Sequence, residues 1–197
     1  MKYTGCRALT DDEIERILAG MTGRFALRDQ AIFVFGVRTR FRISEILSLN
    51  VGDIFENGAI KDVVTVAKNN MKGGEKSRSM PLHSAVKTAL LAYIRASKYD
   101  HPFHKSTALF NRQGRTTAMS PAQFWAIIQQ AAERSGVEKT RLGTHSMRKS
   151  FASKMWHSPR IERDLLKLAK LLGHENPNNT ARYVEFLDGS LEAAVLD

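Results

Sequence analysis

The chain has 197 residues, 43% hydrophobic and 25% charged, which suits one globular domain with an apolar core of its own. Thirty Lys and Arg against twenty Asp and Glu leave a net charge of +10, which points to a polyanionic partner, nucleic acid before others. A lone cysteine, Cys6, excludes an intrachain disulfide, and no apolar run approaches the roughly 18 residues of a membrane span. Both observations, with no signal-peptide core at the N-terminus, lead to a cytoplasmic expectation.

In chain order, Thr10 and Glu13 form a capping box that opens a helix to Met21, with Ile14, Ile17, Leu18 and Met21 on one face. A second helix, Leu27 to Val37, is apolar nearly all round and should be buried. "ISEILSL" reads as a short third helix. Between 51 and 82 the period changes, and "DVVTVA", a turn-like "NNMKGGEKS" and "RSMPL" describe a hairpin with a basic tip. Helices then follow from Ser84 to about Lys98, from Ser120-Pro121 to just before Gly136, and from Thr144 as N-cap. The next starts at Ser158-Pro159, carries Ile161, Leu165, Leu168 and Leu172 on one side, and stops at Gly173. Asn176-Pro177 launches a last helix that bears Tyr183. The result is one mainly helical domain with a small sheet.

Several side chains on this frame could do chemistry. His145 and Arg148 sit three apart in the first turn of a helix, where free N–H groups and the dipole already attract phosphate. Arg42, at the entrance to a short helix, is costly to desolvate without an anion. Glu45 is the internal candidate for that anion, either as its only partner or as a support that turns the guanidinium fork toward a phosphate. "MKGGEKSRS" is not a nucleotide-binding loop, because Glu75 stands where Gly must precede Lys-Ser and Pro81 ends a strand rather than a helix. Neither "HPFH" at 101–104 nor any Cys, His or carboxylate cluster has metal-ligand spacing, so the expected chemistry is free of metal and cofactor.

Taken in order, these pieces resemble the catalytic domain of the tyrosine recombinases, the phage-integrase family. "RISEILSL" is similar to its first-arginine box, "KGGEKSRSMPL" to its hairpin lysine, "THSMRKSF" to its His-x-x-Arg box, and "LLGHENPNNTARY" to its closing Gly-His and nucleophilic Tyr. The resemblance implies a mainly α fold of the α+β kind, with a small antiparallel hairpin, over 1–197 as a single catalytic domain. The family's N-terminal core-binding domain is not expected in this chain.

The same resemblance implies a site-specific recombinase of the integrase or invertase type that acts on double-stranded DNA through a 3′-phosphotyrosine. Tyr183 would be the nucleophile, His145 the base, and Arg42 and Arg148 the phosphate clamps, with His174 giving a further phosphate hydrogen bond. Lys72 would be the general acid, with Lys76 as the alternative. Arg38, Arg40, Lys68, Lys76, Arg78 and Lys149 would contact DNA. A homotetramer on DNA, a monomer off it, and accessory DNA-bending proteins are further expectations, with no membrane association. The apolar tail at Leu191, Ala194, Val195 and Leu196 would dock on a neighbouring copy or fold on its own.

This chain departs from the family in having Arg40-Phe41 where Gly-Leu is common before the first Arg, and a hairpin one residue longer between Lys and Pro. Lys149 stands where a His usually follows the second Arg. Resealing of a single strand in the manner of a type IB topoisomerase, and DNA binding without cleavage, remain open readings of the same residues.

Overall fold

The computed structural model describes residues 5–67, 77–97, 105–111, 117–174 and 176–184. Lys68, Lys72 and Lys76, the stretch at 101–104 and the tail beyond Val184 lie outside these residues.

Helix α2 (Ala26–Arg38) forms the centre of the fold, as its unbroken apolar run requires: Ala31, Ile32, Phe33, Phe35 and Val37 are all buried. Helices α5 (Ser84–Ala96) and α7 (Thr144–Trp156) pack against it, while α1 (Asp11–Gly20) lies along α6 (Pro121–Arg134). Gly36 allows the close approach of α2 and α7, because a Cβ there would stand 2.5 Å from the Met147 sulfur. That approach brings the residues after α2 beside the first turns of α7.

Short elements follow α2. These are α3 (Ile43–Leu47), α4 (Val51–Ile54), a tight ribbon of β1 (Phe55–Glu56) and β2 (Ala59–Ile60), and a hairpin of β3 (Val63–Val66) and β4 (Arg78–Pro81). In that hairpin Val63 pairs with Pro81 and Val66 with Arg78, antiparallel, which bears out the expected strand and its return. Val64 and Val66 turn inward and are buried, while Val63 and Thr65 face out, the period-two pattern of a sheet with one wet face. The β1–β2 turn at Asn57-Gly58 has φ of 52° and 81°, the left-handed pair that a two-residue hairpin needs.

Helix α8 (Leu165–Leu172) is shorter than expected. Glu162 and Arg163 take φ of 55° and end the turns that begin at Ser158, so the helix starts afresh with Asp164 as its cap. The Asp164 side chain accepts from Leu166 N at 2.8 Å and from Lys167 N at 3.0 Å. Helix α7 likewise begins at Thr144 itself, with Gly143 before it, and Ser146 Oγ accepts from Gly143 N. Helix α9 (Asn178–Val184) is opened by Asn176, whose Oδ1 accepts from Asn178 N at 2.9 Å.

The buried apolar residues fall into two clusters. The larger one centres on α2 and reaches Met147 on α7. A smaller one gathers Phe151, Ala152, Trp156, Leu168 and Leu172, with Tyr183 and Val184 packed on it. No helix of the described residues is long and apolar enough to cross a membrane.

Candidate active site

The site forms where the two clusters meet, and Arg148 is its hub. This side chain is 2% exposed. Its guanidinium donates to the backbone carbonyls of Arg40 and, at 2.8 Å, Leu172, and lies 3.2 Å from Nε2 of His174. Burial, and then the charge of Arg42, pull it down to about 10, so it remains cationic at neutral pH.

Three arginines, from the segment after α2, from β4 and from α7, hold the end of α8. Arg40 donates to Leu171 O at 2.8 Å, Arg148 to Leu172 O at 2.8 Å, and Arg78 of β4 to Gly173 O at 2.9 Å. These carbonyls have no partner within the helix and carry the negative end of its dipole, so cations suit them. Gly173 adopts the left-handed cap with φ of 67°, and a Cβ there would meet the Arg78 guanidinium carbon at 2.9 Å.

The chain then delivers His174 and Tyr183. An arginine can only donate, so His174 Nε2 accepts from Arg148, and Nδ1–H donates to Thr180 Oγ1 at 2.8 Å. Burial, followed by the charges of Arg148, Arg42 and Arg78, pushes His174 down to about 4. The ring is therefore neutral near pH 7. To give the expected bond to a phosphate, Arg148 must turn its donor to the anion and a proton must reach Nε2. The Tyr183 ring packs on His174 at 5.4 Å between centroids, tilted by 54°. Lys149 places its ammonium 5.2 Å from the Tyr183 ring centroid.

Arg42 and Glu45 are joined as the sequence suggests. Glu45 Oε2 accepts from Arg42 N at 2.7 Å and Oε1 from the Arg42 guanidinium at 3.1 Å. Glu45 is 1% exposed, whereas the Arg42 side chain is 35% exposed, so the carboxylate is the fixed support and the guanidinium reaches outward. Arg78 stands 4.0 Å from the same carboxylate. His145 is exposed at the rim. Loss of hydration there, and then the charges of Arg148, Arg42 and Lys149, lower its pKa, which leaves it neutral and able to accept a proton near pH 7.

The structure therefore brings together Arg42, Glu45, His145, Arg148, His174 and Tyr183. Residues expected to grip DNA sit differently. Arg40 and Arg78 turn donors inward to carbonyls, Lys149 is buried with its Nζ 2.5 Å from Cys6 O, and Arg38 lines a separate cleft with Leu9, Thr10, Ser153 and Lys154. Sequence reasoning missed the clamp on the last α8 carbonyls and the Thr180 partner of His174. Backbone acceptors reached 24, 95 and 131 residues away leave no local signal. Among the described residues no group of three or more His, Cys, Asp or Glu could hold a metal ion.

Known proteins resemble this chain in sequence and fold. The Phage integrase family matches residues 7–189. The probable integrase/recombinase YoeC of Bacillus subtilis is 29% identical over 85% of this chain and 82% of its own length. Tyrosine recombinase XerD of Bifidobacterium longum is 32% identical, over 89% of this chain and 56% of its own. Against XerC of Caldanaerobacter subterraneus the chain spans 49% of the relative, so it covers about half the length of the Xer recombinases it matches. Among solved structures, XerA recombinase has a TM-score of 0.72 at 20% identity, covering 100% of this chain and 64% of that one. The catalytic domain of bacteriophage HP1 integrase has 0.61 at 23%, covering 97% and 94%. The likeness to solved structures establishes the fold, and the match over 7–189 establishes that the chain belongs to the phage integrase family.

Proposed function

We propose that the chain is a site-specific recombinase that breaks and rejoins double-stranded DNA through a phosphotyrosine at Tyr183. The observation that carries this reading is the convergence of Arg42, Arg148, His174 and Tyr183 on one spot. Positive charge there exceeds the single buried carboxylate of Glu45, as a site built for a phosphodiester requires. A free phenol with pKa about 10 is ionised to roughly one part in a thousand at pH 7, which costs about 4 kcal/mol. A base and a cationic surround must offset that cost.

In the proposed step the Tyr183 oxygen bonds to phosphorus as its proton passes to neutral His145. Arg42 and Arg148 hold the charge that grows on the non-bridging oxygens, each positioned donor being worth about 10²–10³ in rate. The bond from phosphorus to the 5′-oxygen breaks, and a hairpin lysine, Lys72 in this reading, supplies that oxygen's proton. Attack by a different 5′-hydroxyl reverses the sequence and conserves the bond energy. Exchange between two duplexes cuts four strands, so one tyrosine for each strand calls for four copies on DNA.

A DNA adduct that survives SDS tests the reading. Wild-type protein on a nicked duplex carrying its site should form one, and Tyr183→Phe should not, while binding the same DNA within about twofold. An adduct from the Phe variant would overturn the assignment of Tyr183. In the same assay a 5′-bridging sulfur, which leaves without a proton, should restore cleavage to Lys72→Ala. Restoration of Lys76→Ala alone would move the acid to Lys76. Relaxation of supercoils without strand exchange would turn the reading to single-strand resealing.

A further inference from the structure

The Phe151 side of α7 faces the smaller core, yet the residue after Arg148 is a lysine, and it is 6% exposed. Burying an ammonium is costly unless it is partnered. Two partners are close. Cys6 O accepts from Nζ at 2.5 Å, and the face of the Tyr183 ring lies 5.2 Å away. The Cys6 carbonyl does not drift, because the segment around it is laced to the fold. Arg7 N donates to Arg141 O at 2.9 Å, the Arg141 guanidinium to Gly5 O at 2.9 Å, and Leu9 N to Ser150 Oγ at 2.8 Å. Arg7 also pairs with Glu13 at 2.6 Å. The segment from Gly5 to Leu9 is thus a strap tied to α7 and to the turn before it, and its Cys6 carbonyl holds the lysine that reaches the tyrosine.

We infer that Lys149 is a positioning residue for the nucleophile, a strap-anchored cation that holds the Tyr183 ring and stabilises the negative charge its oxygen gains during attack. This inference rests on the proposed recombinase reading and deepens it. A cation on an aromatic face is attracted by the ring quadrupole, more strongly as the pair loses water, and here the lysine is buried and the tyrosine partly so. The same charge favours the phenolate-like transition state over the neutral phenol, which makes the interaction differential. Among the described residues, Arg148 and Lys149 from α7 and His174 at the end of α8 face Tyr183. Arg148 bonds the Arg40 and Leu172 carbonyls and serves the phosphate oxygens in the proposed step, and His174 is neutral. Among these groups Lys149 is the cation that lies over the ring itself.

The test is the single-turnover rate of adduct formation at saturating DNA, measured from pH 7 to pH 9.5. Lys149→Met should slow it about tenfold or more at pH 7, with DNA affinity within about twofold of wild type. The deficit should shrink as pH rises, because solvent base then removes the proton that the missing cation helped to release. Lys149→Arg, which keeps the charge, should stay within about threefold. Lys149→Gln, also uncharged, replaces the Met variant if thermal melting shows that Met does not fold. An uncharged variant that cleaves at the wild-type rate overturns the inference, as does one whose deficit is the same at every pH. A variant that loses DNA affinity about tenfold and cleaves normally once saturated also overturns it and makes Lys149 a phosphate contact. Absence of any adduct from wild-type protein would instead remove the recombinase reading beneath it.

Discussion

His174 shows how one side chain ties stability to the chemistry. Its folded pKa of about 4 lies below the ordinary value of 6.5, so the folded state resists protonation between those limits while the unfolded chain does not. Stability from this group is therefore complete above about pH 6.5 and falls as the pH drops toward 4. The ring is only half buried, so solvent screening reduces the loss to about 1–2 kcal/mol. Replacing His174 by Gln should flatten the decline of melting temperature between pH 7 and pH 4.5. His145, shifted the same way, leaves a residual slope in the variant. An identical pH dependence in both proteins would show that Arg148 and Thr180 do not hold the neutral ring as described. Neutral His174 also explains why Arg148 can point a donor at it: two cations in that place would repel.

At the scale of elements, the end of α8 is where the hairpin, the segment after α2 and helix α7 meet through their arginines. Gly173 permits this. A side chain there would need a left-handed backbone and would collide with Arg78. Gly173→Ala should cost about 1–3 kcal/mol and slow adduct formation, because it displaces both Arg78 and the residue that leads to His174. Adding Arg78→Ala removes the collision but leaves the backbone strain, so the double variant should recover part of the stability. Equal stability of single and double variants would place the whole cost in the backbone.

Elements with local signals were legible in the sequence. Thr10 with Glu13, Ser120 with Pro121, and Gly173 mark helix ends through their own side chains or the lack of one, and all three hold in the structure. The start of α8 was misread because Ile161 continues the apolar spacing of Leu165 and Leu168 through the turns, hiding the cap at Asp164. The ribbon at Asn57-Gly58 carries a strong turn signal but strands too short to show a period. In the site, the pairing of Arg42 with Glu45 is three residues apart and was readable. The arginine-to-carbonyl bonds join distant segments and were not.

For the molecule as a whole, the division of the core matters most. Arg42 and Glu45 stand on the large cluster around α2, and Tyr183 is packed on the small one with α8 and α9. Helix α7 spans both, with Met147 in the first and Phe151 in the second, and Met80 of the hairpin packs against each. A small cluster has less apolar area to oppose its own opening, so the nucleophile rides on the less stable part of the fold. Leu168 is fully buried in that part. Truncation to Ala should cost about 2–4 kcal/mol locally. Hydrogen exchange over 165–184 should then rise at least tenfold while Ala26–Arg38 stays protected, because α2 does not depend on that cluster. Adduct formation should fall with it, although Leu168 carries no group that could act on a phosphate. Were exchange to rise equally in α2 and in α8–α9, the two clusters would unfold as one unit, and Tyr183 would owe its placement to the whole core.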